Sequence, residues 1–374
     1  MSRFVVVLAD APASRVDAGE TLATFLRRYE PAVRSVSTAA LAAGPMLSAD
    51  VAFIGLPTAL QPSALERLRA GRIVTFDYFD EPWPNREAPA LEAAGALAGL
   101  ATLHLKTHRE RVAPAWAAAV ATDGLDIGLL PIRYNRAVAG AWRRWRLAAP
   151  WRGLRQLAGR PERRWDVSLH GSVTQLDRRT ADGRPVSYDQ RVEWMQAMRA
   201  SAAWRHWGGL KPLPYRSCDA LVAQYGDAVL ACLDDGPRMP FGAYFARMTD
   251  TRVALCPAGH ARWTYRHVEA VYAGCEIVST DLRGVDTLVP APTEAMTLVP
   301  DHAPVGPAIA DALAAWASRA ARRAGAVEAM QDWLDGGRFT RAKRRAFERF
   351  VAQVDPAKPL GTGEGPTRFV PSAS

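Results

Sequence analysis

Residues 251–281 carry the clearest structural pattern in the sequence, TRVALCPAGHARWTYRHVEAVYAGCEIVSTD. An apolar run over 252–256 predicts a buried strand, and the proline and glycine that follow it predict a loop. A helix is predicted over 265–273, followed by a turn of small residues and a second apolar strand at 276–279. This order of strand, loop, helix and strand is the repeating unit of a parallel sheet covered by helices.

The predicted loop of this stretch offers a place for an anion. A loop that opens onto a helix N-terminus presents backbone N–H groups and the positive end of the helix dipole, so residues 258–264 form a candidate diphosphate cradle. Arg262 and Arg266 would add fixed positive charge where a departing diphosphate gains negative charge. Glu269 lies one helical turn after Arg266, where its carboxylate can accept hydrogen bonds from ribose hydroxyls.

The same alternation extends over most of the chain. Continuous apolar runs predict strands that are covered on both faces, and the stretches of helical periodicity between them predict the covering helices. In the first half the predicted strands are 4–8, 51–54, 72–76 and 100–105, with helices over 18–29 and 64–70. After residue 165 the predicted strands are 166–169, 228–233, 252–256 and 276–279, with helices over 188–201, 241–248 and 265–273. We therefore predict an α/β protein with two Rossmann-like domains.

Composition divides the sequence into four segments. Residues 1–140 form the predicted N-terminal domain and residues 166–335 the predicted C-terminal domain. Segment 141–165 interleaves arginines with tryptophans and contains a single acidic residue. It fits a helix that rests on an anionic membrane surface, or a solvated helix whose tryptophans pack on a neighbouring domain. Residues 336–374 are predicted as a C-terminal helix and a flexible tail.

Composition also excludes several classes of protein. Hydrophobic residues make up 49% of the 374 residues and charged residues 23%, as in globular proteins and unlike disordered or fibrous chains. No apolar run reaches the roughly 18 residues of a membrane-spanning helix, so we expect the protein to stay in the cytoplasm. The 4 cysteines lack zinc-ligand spacing and are interpreted as reduced thiols. The net charge of +9 indicates an anionic partner.

The first stretch resembles the donor-binding region of exostosin-like glycosyltransferases. Their pattern is an apolar strand leading to Cys-Pro, a glycine-containing loop, Arg, two residues, Glu-Ala, a small residue and Gly, a second apolar strand and Asp. It is matched here by Leu255-Cys256-Pro257, Gly259, Arg266, Glu269-Ala270, Ala273-Gly274-Cys275, Ile277-Val278 and Asp281. The resemblance covers about 30 residues. It implies the GT-B fold, in which two Rossmann-like domains face each other across a cleft.

The resemblance also implies a chemistry. The C-terminal domain would hold a nucleotide-sugar donor and the N-terminal domain the acceptor, with Arg266 at the donor phosphates and Glu269 at the ribose. Many retaining enzymes of this fold carry a further Glu eight residues before the Glu-Ala glutamate, and Ala261 stands at that position here. The neighbouring His260 differs in chemistry, so this departure from the retaining pattern favours an inverting mechanism.

Further donor-binding candidates lie near two of the predicted strand ends. His170-Gly171-Ser172 follows the first strand of the C-terminal domain, at the end where doubly wound sheets bind ligands. Gly171 would let the backbone approach a diphosphate and Ser172 would donate to it. A tight turn with a capped helix is the alternative interpretation. In the loop of the first stretch the candidates also include Gly259, His260, Thr264 and Tyr265.

An inverting transfer needs a general base near the acceptor hydroxyl. Asp77 and Asp80 flank two aromatic residues at the end of a predicted strand, where such neighbours can raise a carboxyl pKa. We predict Asp77 first and Asp80 second as the base, although a turn-forming role is the alternative for each. The aromatic residues predicted to line the acceptor sugar are Tyr78, Phe79 and Trp83. The remaining candidates for the base are Asp10, Glu81, His104 and His108.

The sequence lacks the motifs of several other enzyme classes. No Gly-x-Gly-x-x-Gly follows the first strand, and the chain has neither a P-loop nor a Gly-x-Ser-x-Gly elbow. His260 and His267 have no accompanying carboxylate spacing, so we predict no metal site and no cofactor beyond the nucleotide-sugar co-substrate.

We therefore predict a glycosyltransferase that moves a sugar from a nucleotide-sugar donor to a hydroxyl of a glycan or lipid-linked acceptor, in bacterial-type surface polysaccharide assembly. Segment 141–165 and the basic stretch 338–349 would attach it peripherally to the anionic inner face of the membrane. This interpretation expects no nucleic acid partner. The alternatives are a non-catalytic basic module that binds nucleic acid through 141–165, and a transferase fold without turnover.

Overall fold

The chain forms two compact units. The computed structural model describes residues 2–8, 19, 22–27, 29–55, 62–77, 101–106, 109–110, 122–124, 140, 163–173, 190–212, 218–259, 262–286, 292–334 and 341–354. Unit 1 comprises Met1–Arg133, Val285–Pro290 and Asp332–Ser374, and unit 2 comprises Tyr134–Gly284 and Ala291–Gln331. The chain therefore passes from unit 1 to unit 2, returns briefly to unit 1 at Val285–Pro290, and ends in unit 1 after a second passage through unit 2. No helix within the described ranges is long and apolar enough to cross a membrane.

Strands and helices alternate in both units. The strands are β1 (Ser2–Leu8), β2 (Val33–Ser37), β3 (Leu47–Gly55), β4 (Leu68–Asp77), β5 (Ala101–Lys106), β6 (Arg109–Glu110), β7 (Thr122–Gly124), β8 (Trp165–Ser172), β9 (His206–Lys211), β10 (Thr251–Cys256), β11 (Glu276–Thr280), β12 (Val285–Asp286) and β13 (Met296–Val299). The helices are α1 (22–27), α2 (Thr38–Ala43), α3 (Pro62–Glu66), α4 (Gln190–Ala200), α5 (Cys218–Tyr225), α6 (Phe241–Thr249), α7 (Tyr265–Tyr272), α8 (Val305–Ala314), α9 (Ala320–Leu334) and α10 (Arg341–Val354).

Each unit is built on a parallel sheet. In unit 1 the strand order is β2-β1-β3-β4-β5-β7, and every pair is parallel. In unit 2 the order is β13-β11-β10-β8-β9, again with every pair parallel. The short strands β6 and β12 form a separate antiparallel pair. The two parallel sheets with their helices are the two Rossmann-like units that the sequence predicts.

The core of unit 1 shows why the apolar runs are continuous. Phe4 and Val6 of β1 pack on one face of the sheet, in a cluster that includes Phe350 of α10. Val5 and Val7, which alternate with them, pack in a second cluster that contains α2. Because side chains along a strand point to opposite faces, two apolar clusters mean that the sheet is covered on both sides.

One large cluster of buried side chains lies on the sheet of unit 2. Val167 of β8, Val253 of β10 and Val278 of β11 pack against buried side chains of α4, among them Trp194 and Met198. This packing fixes α4 against the sheet, and the first turn of α4 therefore stands close to the carboxyl end of β8. That placement matters for the candidate site.

The sequence predicts the interior strands and misses the edges. The predictions for β1, β3, β4, β5, β8, β10 and β11 are confirmed, whereas the edge strands β2, β7, β9 and β13 are not predicted. None of these four segments has a continuous apolar run, so the sequence does not mark them as strands. One prediction is wrong in kind, because Asp227–Cys232 forms a 3-10 helix instead of a strand. Another is wrong in extent: the helix predicted over 64–70 is present as Pro62–Glu66 and ends there, because Leu68 already belongs to β4.

A buried arginine closes the amino end of the sheet in unit 2. The side chain of Arg163 donates hydrogen bonds to the carbonyl oxygens of Thr251 and Ala273 and to Sγ of Cys275. Its Cζ lies 4.7 Å from the ring centre of Trp316. Burial lowers the pKa of Arg163 to about 10, so the group stays charged at neutral pH. Arg163 therefore connects the start of β10 to the end of α7, at the end of the sheet opposite to the candidate site.

The four cysteines are all free thiols, as predicted.

Candidate functional site

The carboxyl ends of β8 and β10 lie where the strand order of unit 2 reverses. The chain leaves β8 through α4 to the edge strand β9 on one side, and later enters β10 on the other side. Open parallel sheets bind ligands in the crevice that such a reversal leaves outside the carboxyl ends of the strands. His170, Gly171 and Ser172 end β8, and Gly259 follows β10. The structure thus brings predicted donor residues from two parts of the chain to this one crevice.

Two guanidinium groups meet at Gly171. A Cβ atom placed on Gly171 would lie 3.7 Å from Nη1 of Arg191 and 3.8 Å from Nη2 of Arg266. Arg191 comes from the first turn of α4 and Arg266 from the first turn of α7, and both side chains are half-buried. Because Gly171 has no side chain, the backbone of β8 ends in a space lined by two fixed positive charges. This arrangement suits a phosphate group, which guanidinium groups bind through paired hydrogen bonds.

Arg191 is held in place by the loops that it joins. Its Nε donates to the carbonyl oxygen of Ala258 at 3.2 Å, and its Nη1 donates to that of Ser172 at 2.8 Å. The preceding residue, Gln190, is 1% exposed, and its Oε1 accepts a hydrogen bond of 2.8 Å from the backbone N–H of Ala258. The start of α4 therefore connects the loops after β8 and β10. It also occupies the Ala258 amide, which the sequence analysis assigned to the diphosphate cradle.

The N-terminus of α7 is closed by a residue of its own first turn. Nδ1 of His267 accepts a hydrogen bond of 3.1 Å from the backbone N–H of Thr264. Nε2 of His267 lies 2.8 Å from Oγ of Ser279, and the ring stacks on Trp263 with 4.6 Å between centroids. The amide of Thr264 thus has a protein acceptor, like the amide of Ala258 at the other end of the loop. Among the described residues, two amides of the candidate cradle therefore have protein acceptors, while two guanidinium groups lie near Gly171.

The buried imidazole of His267 should make folding sensitive to acid. Its pKa falls to about 3, mainly because of burial and to a smaller extent because of the charges of Arg266 and Arg191. In the unfolded chain the group takes a proton below about pH 6.5, whereas the folded protein does not bind that proton until about pH 3. Stability is therefore lost as the pH falls through this window.

We expect His267 to account for about 2 kcal/mol of the stability lost between pH 7 and pH 5. Urea unfolding at both pH values measures this loss in the wild type and in a His267→Gln variant, whose side chain does not titrate. The variant should show the smaller difference between the two pH values. Equal acid dependence in the two proteins would contradict the assignment.

Three aromatic rings cluster at the end of β8. The ring of His170 lies 6.0 Å from that of Trp207 and 5.5 Å from that of Tyr244. Burial, and after it the charge of Arg266, lowers the pKa of His170 to about 4, although Asp234 opposes the shift. His170 is therefore neutral at pH 7 and adds a hydrogen-bonding ring, without charge, to the crevice.

Glu269 is a buried carboxylate on the same helix as Arg266. It is 6% exposed, and its Oε2 accepts a hydrogen bond of 2.8 Å from the hydroxyl of Tyr244 on α6. The ring of Tyr244 also lies 5.9 Å from Cζ of Arg266. The two residues that the sequence assigns to the phosphates and the ribose therefore share one neighbour.

Arg262 has a different environment from Arg266. Its Nη1 and Nη2 donate to the two carboxylate oxygens of Asp301 at 2.8 and 2.5 Å, and Nη1 also lies 3.3 Å from the carbonyl oxygen of Asp281. The side chain connects the loops that follow β10, β11 and β13. In the crevice at Gly171, the second guanidinium is that of Arg191.

Several predicted residues contribute less to this geometry. Tyr265 begins α7 and is 40% exposed. Asp77 is the last residue of β4, where its backbone pairs with Lys106 of β5. Asp80 and His260 lie outside the described residues, as do residues 141–162 of the basic segment. Within the described part of the chain, no three His, Cys, Asp or Glu side chains are grouped so that they could hold a metal ion.

Comparison with known proteins identifies the fold. No family model matches the sequence, and no curated protein matches it. The apo structure of OtsA, a GT-B glycosyltransferase, is similar with a TM-score of 0.50 and 14% identity, covering 94% of this chain and 99% of OtsA. The chain has the GT-B fold.

Two further similar structures have lower TM-scores. A UDP-forming α,α-trehalose-phosphate synthase from Burkholderia vietnamiensis gives a TM-score of 0.48 at 13% identity, covering 95% of this chain and 99% of the other. WaaG, a glycosyltransferase involved in lipopolysaccharide biosynthesis, gives 0.39 at 11% identity, covering 92% and 99%. In all these comparisons the likeness is one of fold.

Two residues of the site, Arg191 and Tyr244, are not among those predicted from the sequence. Arg191 has a signal, since a cation in the first turn of a helix opposes the helix dipole and so calls for a separate reason. Tyr244 has none. It lies 25 residues before Glu269 on another helix, and only the packing of α6 beside α7 brings the two together.

Proposed function

We propose that this GT-B protein is a glycosyltransferase that moves a sugar from a nucleotide-sugar donor to a hydroxyl of an acceptor. The observation that carries the proposal is the pair of guanidinium groups, Arg191 and Arg266, that converge beside Gly171 at the strand-order reversal. A nucleoside diphosphate is the leaving group of such a transfer, and its negative charge grows as the bond to the sugar breaks. Two guanidinium groups fixed at its phosphates would stabilise that charge.

The other residues of the site have roles consistent with this chemistry. Glu269 would accept hydrogen bonds from the ribose hydroxyls, and the neutral ring of His170 would border the donor without adding charge. Because two arginines supply positive charge at the phosphates, we propose a transfer that needs no metal ion. An inverting reaction, with Asp77 or Asp80 as the base, remains our proposal from the sequence.

The acceptor part of the proposal rests on the exostosin-like pattern over 251–281 and on basic charge. We propose a glycan or lipid-linked acceptor in surface polysaccharide assembly, at the anionic inner face of the membrane. Helix α10 supports this, because Phe347 and Phe350 pack in the core of unit 1 while Arg344, Arg345 and Arg349 are exposed. Sedimentation with vesicles containing anionic lipid tests the attachment. Binding that salt weakens is expected, and no binding to the vesicles would contradict it.

The donor site is tested with a panel of nucleotide sugars and their diphosphates. A ligand at about 100 times its Kd raises the free energy of unfolding by about 2.7 kcal/mol, so the preferred nucleotide should raise the melting temperature. We expect UDP, GDP or ADP to do so, and the matching nucleotide sugar to release diphosphate when an acceptor is present. Preference for an oligonucleotide over every diphosphate would favour the nucleic-acid alternative. Diphosphate binding without turnover would favour a non-catalytic scaffold.

Gly259 allows a test of the crevice without removing a charge. An alanine Cβ at position 259 would lie 2.1 Å from Nη2 and 3.0 Å from Cζ of Arg191. We expect Gly259→Ala to displace this guanidinium from Gly171 and to weaken diphosphate binding about tenfold, as measured by calorimetry. Gly242→Ala on α6 is the matched control, since nothing lies near its added methyl group. Unchanged affinity in Gly259→Ala would argue against a role for Arg191.

A further inference from the structure

We propose that Tyr244 is a positioning residue that gives the donor site its preference for ribose, by holding the carboxylate of Glu269 toward the ribose hydroxyls. This inference rests on the proposed function, since it concerns the same nucleotide site. Nothing in the sequence pattern of residues 251–281 assigns a role to Tyr244, which lies outside that stretch on α6.

The hydrogen bond between the two side chains is buried. Tyr244 is 7% exposed and Glu269 is 6% exposed, and the hydroxyl donates to Oε2 over 2.8 Å. A glutamate side chain has three rotatable bonds, so an isolated carboxylate can take up several orientations. Because both side chains are buried, a hydrogen bond to the carboxylate is strong enough to select one of them. Tyr244 therefore fixes the orientation of the group that would meet the ribose.

The ring of Tyr244 has a separate packing role. Its centroid lies 5.5 Å from that of His170 and 6.2 Å from that of Phe241, and Cζ of Arg266 lies 5.9 Å from it. A phenylalanine at this position would keep these ring contacts and remove the hydroxyl alone. Tyr244→Phe thus separates the orientation of Glu269 from the packing of the site.

The test compares UDP, GDP and ADP with their 2′,3′-dideoxy analogues by calorimetry. We expect the wild type to bind its preferred diphosphate more tightly than the analogue that lacks both hydroxyls. In Tyr244→Phe, affinity for the ribose form should fall about five- to tenfold, because the carboxylate is no longer held in place. Affinity for the dideoxy form should change less than about twofold, since it has no hydroxyl for Glu269 to contact.

Two further variants separate positioning from structure. In a Glu269→Ala background, adding Tyr244→Phe should cause no further loss of ribose preference, because Tyr244 acts through Glu269. Tyr29→Phe is the matched hydroxyl deletion in unit 1, where Tyr29 stacks on Phe347, and it should leave the preference unchanged.

The possible results distinguish this inference from the proposed function. A wild type that binds none of the three diphosphates overturns both. A wild type that binds UDP, GDP or ADP without preference for the ribose form overturns the role of the Tyr244–Glu269 pair alone. Equal weakening of the ribose and dideoxy forms in Tyr244→Phe, or full retention of the preference, also overturns it and leaves the diphosphate site in place.

Discussion

Replacement of Arg266 by alanine is expected to weaken the binding of the preferred nucleoside diphosphate about a hundredfold. The guanidinium lies at Gly171 beside that of Arg191, and a phosphate group placed between them would accept charged hydrogen bonds from both. Loss of the Arg266 guanidinium removes two such hydrogen bonds and halves the positive charge that the two arginines place around the phosphate. Calorimetric titration with UDP, GDP and ADP measures the effect directly.

Two other variants show whether geometry or net charge produces this effect. Arg266→Lys keeps the charge and loses the planar fork, so its affinity should fall between those of the wild type and the alanine variant. Arg252→Ala removes the same charge from β10, at the opposite end of the sheet, where Arg252 pairs with Asp166. It should bind the diphosphate like the wild type. Comparable losses in Arg252→Ala and Arg266→Ala would mean that overall charge, and no specific site, attracts the ligand.

The parts of this site that follow from the sequence are those built by neighbours along the chain. Arg266 and Glu269 lie one turn apart on α7, and the strand, loop and helix around them have a recognisable pattern. Gly171 could be predicted because it ends a buried strand, and ligands bind at such ends. Periodicity locates the strand ends in the sequence, and the rule that open parallel sheets bind ligands at the carboxyl ends of their strands then indicates the edge that holds the crevice.

The parts that do not follow from the sequence depend on contacts between distant elements. Arg262 in the loop and Arg266 in the first turn of α7 are only four residues apart, yet the first forms an ion pair with Asp301 and the second reaches Gly171. The choice depends on how the loop after β13 packs beside the loop after β10. Arg191 and Tyr244 come from other helices, so no spacing within one stretch reveals them.

The edge strand β9 is likewise hard to predict from the sequence, because it too depends on a contact with a distant segment. Its sequence HWGGLK contains two glycines, which usually weaken a strand, and the sequence analysis gives it no element. The structure shows why glycine is required: Gly208 has a φ of +120°, and a Cβ atom there would lie 1.9 Å from the carbonyl oxygen of Leu169. Side chains other than hydrogen are excluded both by the backbone angle and by the neighbouring strand.

Gly208→Ala should therefore lower the free energy of unfolding of unit 2 by more than about 4 kcal/mol. The clash is with the backbone of β8, which cannot rotate away as a side chain would, so β9 must separate from β8 at the Leu169–Gly208 pair. Leu169 directly precedes His170 and Gly171, and the crevice should lose its diphosphate affinity together with stability. Urea unfolding followed by tryptophan fluorescence measures the first effect and calorimetry the second.

Gly284→Ala is the matched control for this effect, because its added methyl group meets no other atom within 4 Å, and its unfolding midpoint should stay that of the wild type. An unchanged midpoint in Gly208→Ala would mean that β9 tolerates a side chain at this position and that the left-handed backbone is not required. Loss of both stability and diphosphate binding in the variant would show that Gly208, which makes β9 hard to predict from the sequence, is also required for the structure of the donor crevice. Glycine lowers the strand propensity of this segment, and it is present because β9 approaches the backbone of β8 too closely for any larger residue.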